Sequence, residues 1–135
     1  MDSRYQIFEA TPSAEEFNHL RELAGWGKID PAVVNVGLCN SVHALCAWED
    51  DELVGFVRLV GDGAMKLSVE ELLVHPEHRR RGIATALMAG VMAYIAVLPP
   101  GCTINLMAAE GLSDFYTKLG FRVRPETRPG MQMRR

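Results

Sequence analysis

The sequence predicts an α+β fold: a mixed, mostly antiparallel sheet with a central parallel β-α-β crossover, flanked by helices. Three observations carry that prediction. Short β-rich runs alternate with acidic and glycine turns in the middle of the chain, the pattern of antiparallel hairpins. An uncharged helical stretch then lies between two further strand runs, which makes a crossover joining parallel strands. Finally, 135 residues at 48% hydrophobic content suffice for one core, whereas two would each be marginal, so residues 1–135 are read as one domain.

The elements follow in order. Alternation around Tyr5 and Ile7 predicts a first strand over 4–9. Thr11-Pro12-Ser13 with Glu15 and Glu16 supplies a hydroxyl cap and acids for a helix whose Phe17, Leu20, Leu23 and Ala24 stripe stops at Gly25. Asp30-Pro31, a cap followed by proline at the first helical position, opens a second helix through Leu38 to Asn40. The runs 43–49 and 53–60 form a hairpin about Asp50-Asp51-Glu52, and Gly61-Asp62-Gly63 turns into a strand over 65–74. A helix from about Gly82 to Leu98 ends at Pro99-Pro100-Gly101. Strands at 102–107 and 121–124, a helix at 111–119 and a last edge strand at 131–135 complete the expected order.

Several function classes drop out on composition. A net charge of −3 argues against a broad nucleic-acid face. The three cysteines, Cys39, Cys46 and Cys102, have no CxxC spacing, so they read as buried apolar fillers in a reducing cytoplasm rather than as disulfides or a zinc site. MDSRYQIFEA lacks the apolar core of a signal peptide. The uncharged run from Ile83 to Leu98 is shorter than the roughly 20 residues a membrane span needs. His75 and His78 flank Glu77 on one turn without a third ligand, so no metal site is expected.

Chemistry concentrates in two stretches. In the first, strand 65–74 runs into His75 to Arg81 and then into a helix opened by Gly82, Ile83, Ala84 and Thr85. The N–H groups of a first helical turn and the helix dipole form an anion cradle, Gly82 admits a phosphate close to the backbone, and Arg79, Arg80 and Arg81 supply charge-assisted contacts. A solvated arginine run is the plain alternative for the six residues alone. The second stretch, Phe115-Tyr116-Thr117-Lys118-Leu119-Gly120-Phe121, reads as core residues with a glycine cap, leaving Tyr116 unexplained.

Together the two stretches resemble the GNAT superfamily of N-acetyltransferases, as a small single-domain member. Arg79-Arg80-Arg81-Gly82-Ile83-Ala84 is similar to that family's (Gln/Arg)-x-x-Gly-x-(Gly/Ala) acetyl-CoA pyrophosphate loop, and Phe115 to Phe121 to its C-terminal signature. The resemblance implies acetyl-CoA as cosubstrate, backbone of Leu72, Leu73 and Val74 free to pair with pantetheine beside a splayed neighbouring strand, and pyrophosphate on the N–H groups of Arg81 to Thr85. It also implies that Tyr116 acts as general acid toward the departing thiolate, a role that suits a phenol.

A general base is sought in Glu70 or Glu71, which strict alternation puts on opposite strand faces. For the amine acceptor, Trp26 and Asp62 offer an aromatic face and a carboxylate, although both also fit turn roles. No cysteine stands at a motif position, which points to direct transfer. The expected protein is a cytoplasmic enzyme, monomer or homodimer, with no nucleic-acid or membrane partner; a non-catalytic acyl-CoA sensor of the same fold is the alternative.

Overall fold

The computed structural model describes residues 4–135. They divide into two compact units, one reaching to Asn105 and the other Leu106–Arg135. The first holds a five-stranded sheet in the order β1 (Tyr5–Glu9), β2 (His43–Glu49), β3 (Glu52–Gly61), β4 (Lys66–Val74), β5 (Thr103–Asn105). Every neighbouring pair is antiparallel except β4 and β5, which are parallel and joined through α3 (Ile83–Ile95).

Helix α1 (Ala14–Leu23) starts where Ser13 and Glu16 exchange backbone hydrogen bonds in a capping box. Helix α2 (Pro31–Cys39) starts where the Asp30 side chain accepts from the Ala32 N–H and Pro31 fixes the first turn. Alternation along the strands then sorts the two sheet faces. Ala44, Cys46, Phe56 and Leu73 cluster with Phe17 and Leu20 of α1 and Val34 and Leu38 of α2. Leu45 and Gly55 meet α3 on the other face, with Ala47 beside Gly55.

That second contact is close. A Cβ added at Gly55 would lie 2.7 Å from Ile83 Cγ2, and one added at Gly90 would lie 2.6 Å from Leu45 Cδ1. Two glycines, one on the sheet and one on the helix, let α3 settle with Ile83, Leu87 and Val91 fully buried. Uncharged composition makes α3 a core helix, and no helix among the described residues is long and apolar enough to cross a membrane.

The second unit contains α4 (Ser113–Thr117), shorter than the 111–119 expected. Neither 121–124 nor 131–135 forms a strand. Their apolar residues have no face to bury: Val123 is 79% and Met133 92% exposed, and Pro125 and Pro129 remove backbone donors. Nor are all the cysteines buried fillers. Cys46 is buried, but Cys39, at the end of α2, is exposed.

Candidate active site

The β4–β5 ladder is short. Its register runs Lys66↔Thr103, Leu67↔Ile104, Ser68↔Asn105, while β4 continues to Val74. Past Ser68 the β5 side of β4 therefore has no strand partner among the described residues, and Leu72, Leu73 and Val74 lie on that open edge. On its other side β4 stays paired with β3, Phe56 facing Leu73 and Gly55 facing Val74.

Between those pairs and Arg58↔Glu70 the register slips, so that Glu71 and Leu72 oppose the single residue Val57. This is a β-bulge, with Glu71 in the left-handed region at φ 51°. The bulge breaks the alternation expected for Glu70 and Glu71. Both Glu71 oxygens face Arg58: Nε donates to Oε2 and Nη2 to Oε1 at 3.2 Å. Arg58 Nη1 also donates to the Gly37 carbonyl of α2 at 2.8 Å. Glu71 is thus held in a half-buried bidentate pair that ties α2 to the bulge, whereas Glu70 accepts from the Ser68 hydroxyl at 2.6 Å. Arg58 had a sequence signal: a cation inside the apolar run Leu53–Val60 needs a partner.

The chain leaves β4 through a short 3-10 turn at Pro76–His78. Arg80 and Gly82 then both take positive φ, 64° and 82°, and α3 begins without any side-chain cap. Its first N–H groups are thus left for a ligand or solvent, with the exposed Arg79 and Arg80 beside them. Ala84 and Thr85 complete the first turn, whose core side is anchored by Ile83, 1% exposed. Arg81 is half-buried, and its Nη1 donates to Tyr5 Oη at 2.9 Å.

His75 and His78 are both buried, and Glu52 of β3 brings the third group that the sequence order hides. Their ligating atoms lie within 4.8 Å of one another. One nitrogen of the trio already has a backbone partner. His75 Nδ1 accepts from the Glu77 N–H at 3.1 Å.

The two acceptor candidates are both occupied in building turns. Asp62 Oδ1 accepts from the N–H groups of Ala64, Met65 and Lys66 at 2.7–3.1 Å, and these bonds hold its carboxyl below the ordinary value. Trp26, half exposed, has Arg21 over its ring at 5.4 Å.

In the second unit Tyr116 is 6% exposed, with Phe115 and Phe121 edge-on to its ring at 5.2 and 5.9 Å. It lines a cavity of about 180 Å³ together with Leu106, Ala108, Ser113 and Phe121. Burial raises its pKa, so the phenol keeps its proton at neutral pH. The Gly120 turn closes α4, Phe121 N–H donating to the Tyr116 carbonyl at 3.2 Å.

The first strand of the parallel crossover thus outruns its neighbour and feeds an uncapped helix. Residues 40–123, more than half of the chain, match the family model of the acetyltransferase (GNAT) domain, and the chain belongs to that family. An uncharacterized N-acetyltransferase ycf52 of Gracilaria tenuistipitata var. liui is 26% identical over 94% of this chain and 71% of its own length. GCN5-related N-acetyltransferase 2, chloroplastic, of Arabidopsis thaliana is 31% identical over 62% of this chain, which spans about a third of that protein. Among solved structures, a probable acetyltransferase from meticillin-resistant Staphylococcus aureus shares the fold with a TM-score of 0.90 at 23% identity, over 97% of this chain and 99% of that one. A GNAT family acetyltransferase of Streptococcus pneumoniae TIGR4 gives 0.73 at 26% identity, over 88% of each chain.

Proposed function

We propose that the chain is an acetyl-CoA-dependent N-acetyltransferase acting on a primary amine by direct transfer. The observation that carries this reading is the open edge of β4 beyond Ser68, leading without interruption into the uncapped N-terminus of α3. An extended amide chain fits the edge by adding a strand to Leu72–Val74. A pyrophosphate fits the N–H groups of Arg81 to Thr85, where the positive end of the helix dipole and Arg79 and Arg80 meet its charge.

In the reaction the amine nitrogen forms its bond to the acetyl carbon as the carbon–sulfur bond breaks. The amine must first shed a proton, and Glu70 is the carboxylate of the pair left to take it, since both oxygens of Glu71 are engaged by Arg58. Tyr116 donates its proton to the leaving thiolate, and the rise in its pKa caused by burial favours the protonated form this role needs. No step uses a cysteine. Cys46 is the buried one, and its thiol is pushed up to about 12, mainly by that burial, which removes it as a nucleophile.

The test is thiol release from acetyl-CoA across a panel of amines, small and peptidic, alongside calorimetric titration with CoA. Release with at least one amine, lost together with CoA affinity in Gly82→Glu, is the expected result. CoA binding without release on any amine class would contradict the transferase reading, and absence of CoA binding would contradict the site itself.

A further inference from the structure

We infer that Tyr5, at the start of β1, is a positioning residue for the pyrophosphate loop and acts on the cosubstrate through Arg81. This rests on the docking of pyrophosphate at the first turn of α3 proposed above. The phenol is 4% exposed and lies between two groups from the other end of the crossover: Arg81 Nη1 at 2.9 Å and His78 Nδ1 at 2.7 Å. The Tyr5 and His78 rings meet edge-on at 5.6 Å, and His78 meets His75 in the same way at 4.9 Å.

Donor counting fixes the direction at the Arg81 end. A guanidinium can only donate, so Tyr5 Oη accepts from Arg81 while it is also hydrogen-bonded to His78 Nδ1. The His78 ring also faces two carboxylates, Nε2 lying 3.7 Å from Glu52 Oε1 and Nδ1 lying 3.9 Å from Glu49 Oε2. The buried Tyr5 hydroxyl thus has a partner on either side, in a place where an unpaired one would be costly.

The loop needs such a tie because its backbone is strained. Arg80, a residue with a side chain, sits at φ 64° directly before Arg81, and Gly82 follows at φ 82°. Two consecutive turns of this kind between the 3-10 turn and α3 set the direction of the first α3 N–H groups. Side-chain ties hold them: His78 on one side and Arg81 on the other converge on one hydroxyl of β1. The Arg81 guanidinium is thereby drawn inward, leaving Arg79 and Arg80 exposed, so Arg81 contributes mainly its backbone and its anchorage.

The experiment compares Tyr5→Phe with the unaltered protein for CoA and for acetyl-pantetheine, which lacks the pyrophosphate. Removing a hydrogen bond to a charged group is expected to weaken CoA about tenfold in calorimetry. The change should appear in KM for acetyl-CoA rather than in kcat, with acetyl-pantetheine unaffected. Arg81→Lys provides a second variant that leaves β1 intact, and the double variant should be no worse than the weaker single one, because both remove the same link. Equal loss for CoA and acetyl-pantetheine, or additive losses in the double variant, would overturn the inference. Failure of the unaltered protein to prefer CoA over acetyl-pantetheine would instead strike the pyrophosphate reading on which it rests.

Discussion

Gly55→Ala tests whether α3 is seated by its contact with the sheet. The added Cβ would lie 2.7 Å from Ile83 Cγ2, 3.1 Å from Leu87 Cδ1 and 3.2 Å from Ala47 Cβ. Ordinary carbon contacts start near 3.5 Å, so the Ile83 end of α3 has to retreat by roughly 1 Å. Ile83 and Leu87 are buried at 1% and 0%, with no room to turn aside. Overpacking of this kind costs about 1–3 kcal/mol, or roughly 4 °C of Tm per kcal/mol in a chain of this size. Since Ile83 opens the helix whose first turn is the proposed pyrophosphate site, CoA affinity should fall as well. The control is the same substitution in α2, Gly37→Ala, whose Cβ would meet nothing closer than Arg58 Nη1 at 3.9 Å. There the helix should gain about 0.5–1 kcal/mol. Differential scanning fluorimetry with CoA titration reads both variants. If Gly55→Ala kept the parent Tm and Kd, or moved Tm the same way as Gly37→Ala, the packing argument would be refuted.

Three further outcomes are expected. Tyr116→Phe should lower turnover with little change in CoA affinity, and the alkaline limb of the rate profile assigned to this phenol should lie above the ordinary tyrosine value because burial raises its pKa; unchanged turnover removes Tyr116 from the acid role. Glu71→Gln leaves Arg58 half-buried without its charge partner and should cost about 3 kcal/mol in urea denaturation, whereas Glu70→Gln should spare stability and reduce kcat. For Cys46 the folded-state pKa, about 12, exceeds the ordinary 9.0, so the stabilisation is fully present below pH 9 and is lost as pH rises through 12. Chemical denaturation at stepped pH should show this decline, flattened in Cys46→Ala, and a thiol reagent should label exposed Cys39 in the native state while leaving Cys46 untouched.

What could be read from the sequence was whatever local chemistry determines. Ser13 and Glu16, Asp30, and Asp62 each announce a boundary through the bonds they make to backbone N–H groups, and the Asp50-Asp51 turn through its polar break between two apolar runs. The crossover and the arginine-glycine loop follow from a strand ending in a basic turn before an uncharged helix. The bulge at Glu71 was hidden, because it depends on how β3 and β4 align across space and on Arg58, thirteen residues away. Glu52 and Tyr5 were hidden for the same reason: each is ordinary in its own strand and gains meaning only beside His78. The missing strands at 121–124 and 131–135 show the opposite error, since alternation around Phe121 and Val123 mimics a strand where 79% exposure of Val123 leaves nothing to bury.

In the proposed complex the open edge of β4 and the first turn of α3 together hold the cosubstrate. Backbone amide chemical shifts recorded while CoA is titrated into the labelled protein test it most directly. The largest changes should fall on Leu72–Val74 and on Arg81–Thr85, and the second group should stay silent with acetyl-pantetheine. Saturable shifts centred elsewhere in the chain, with those two segments unmoved, would contradict it.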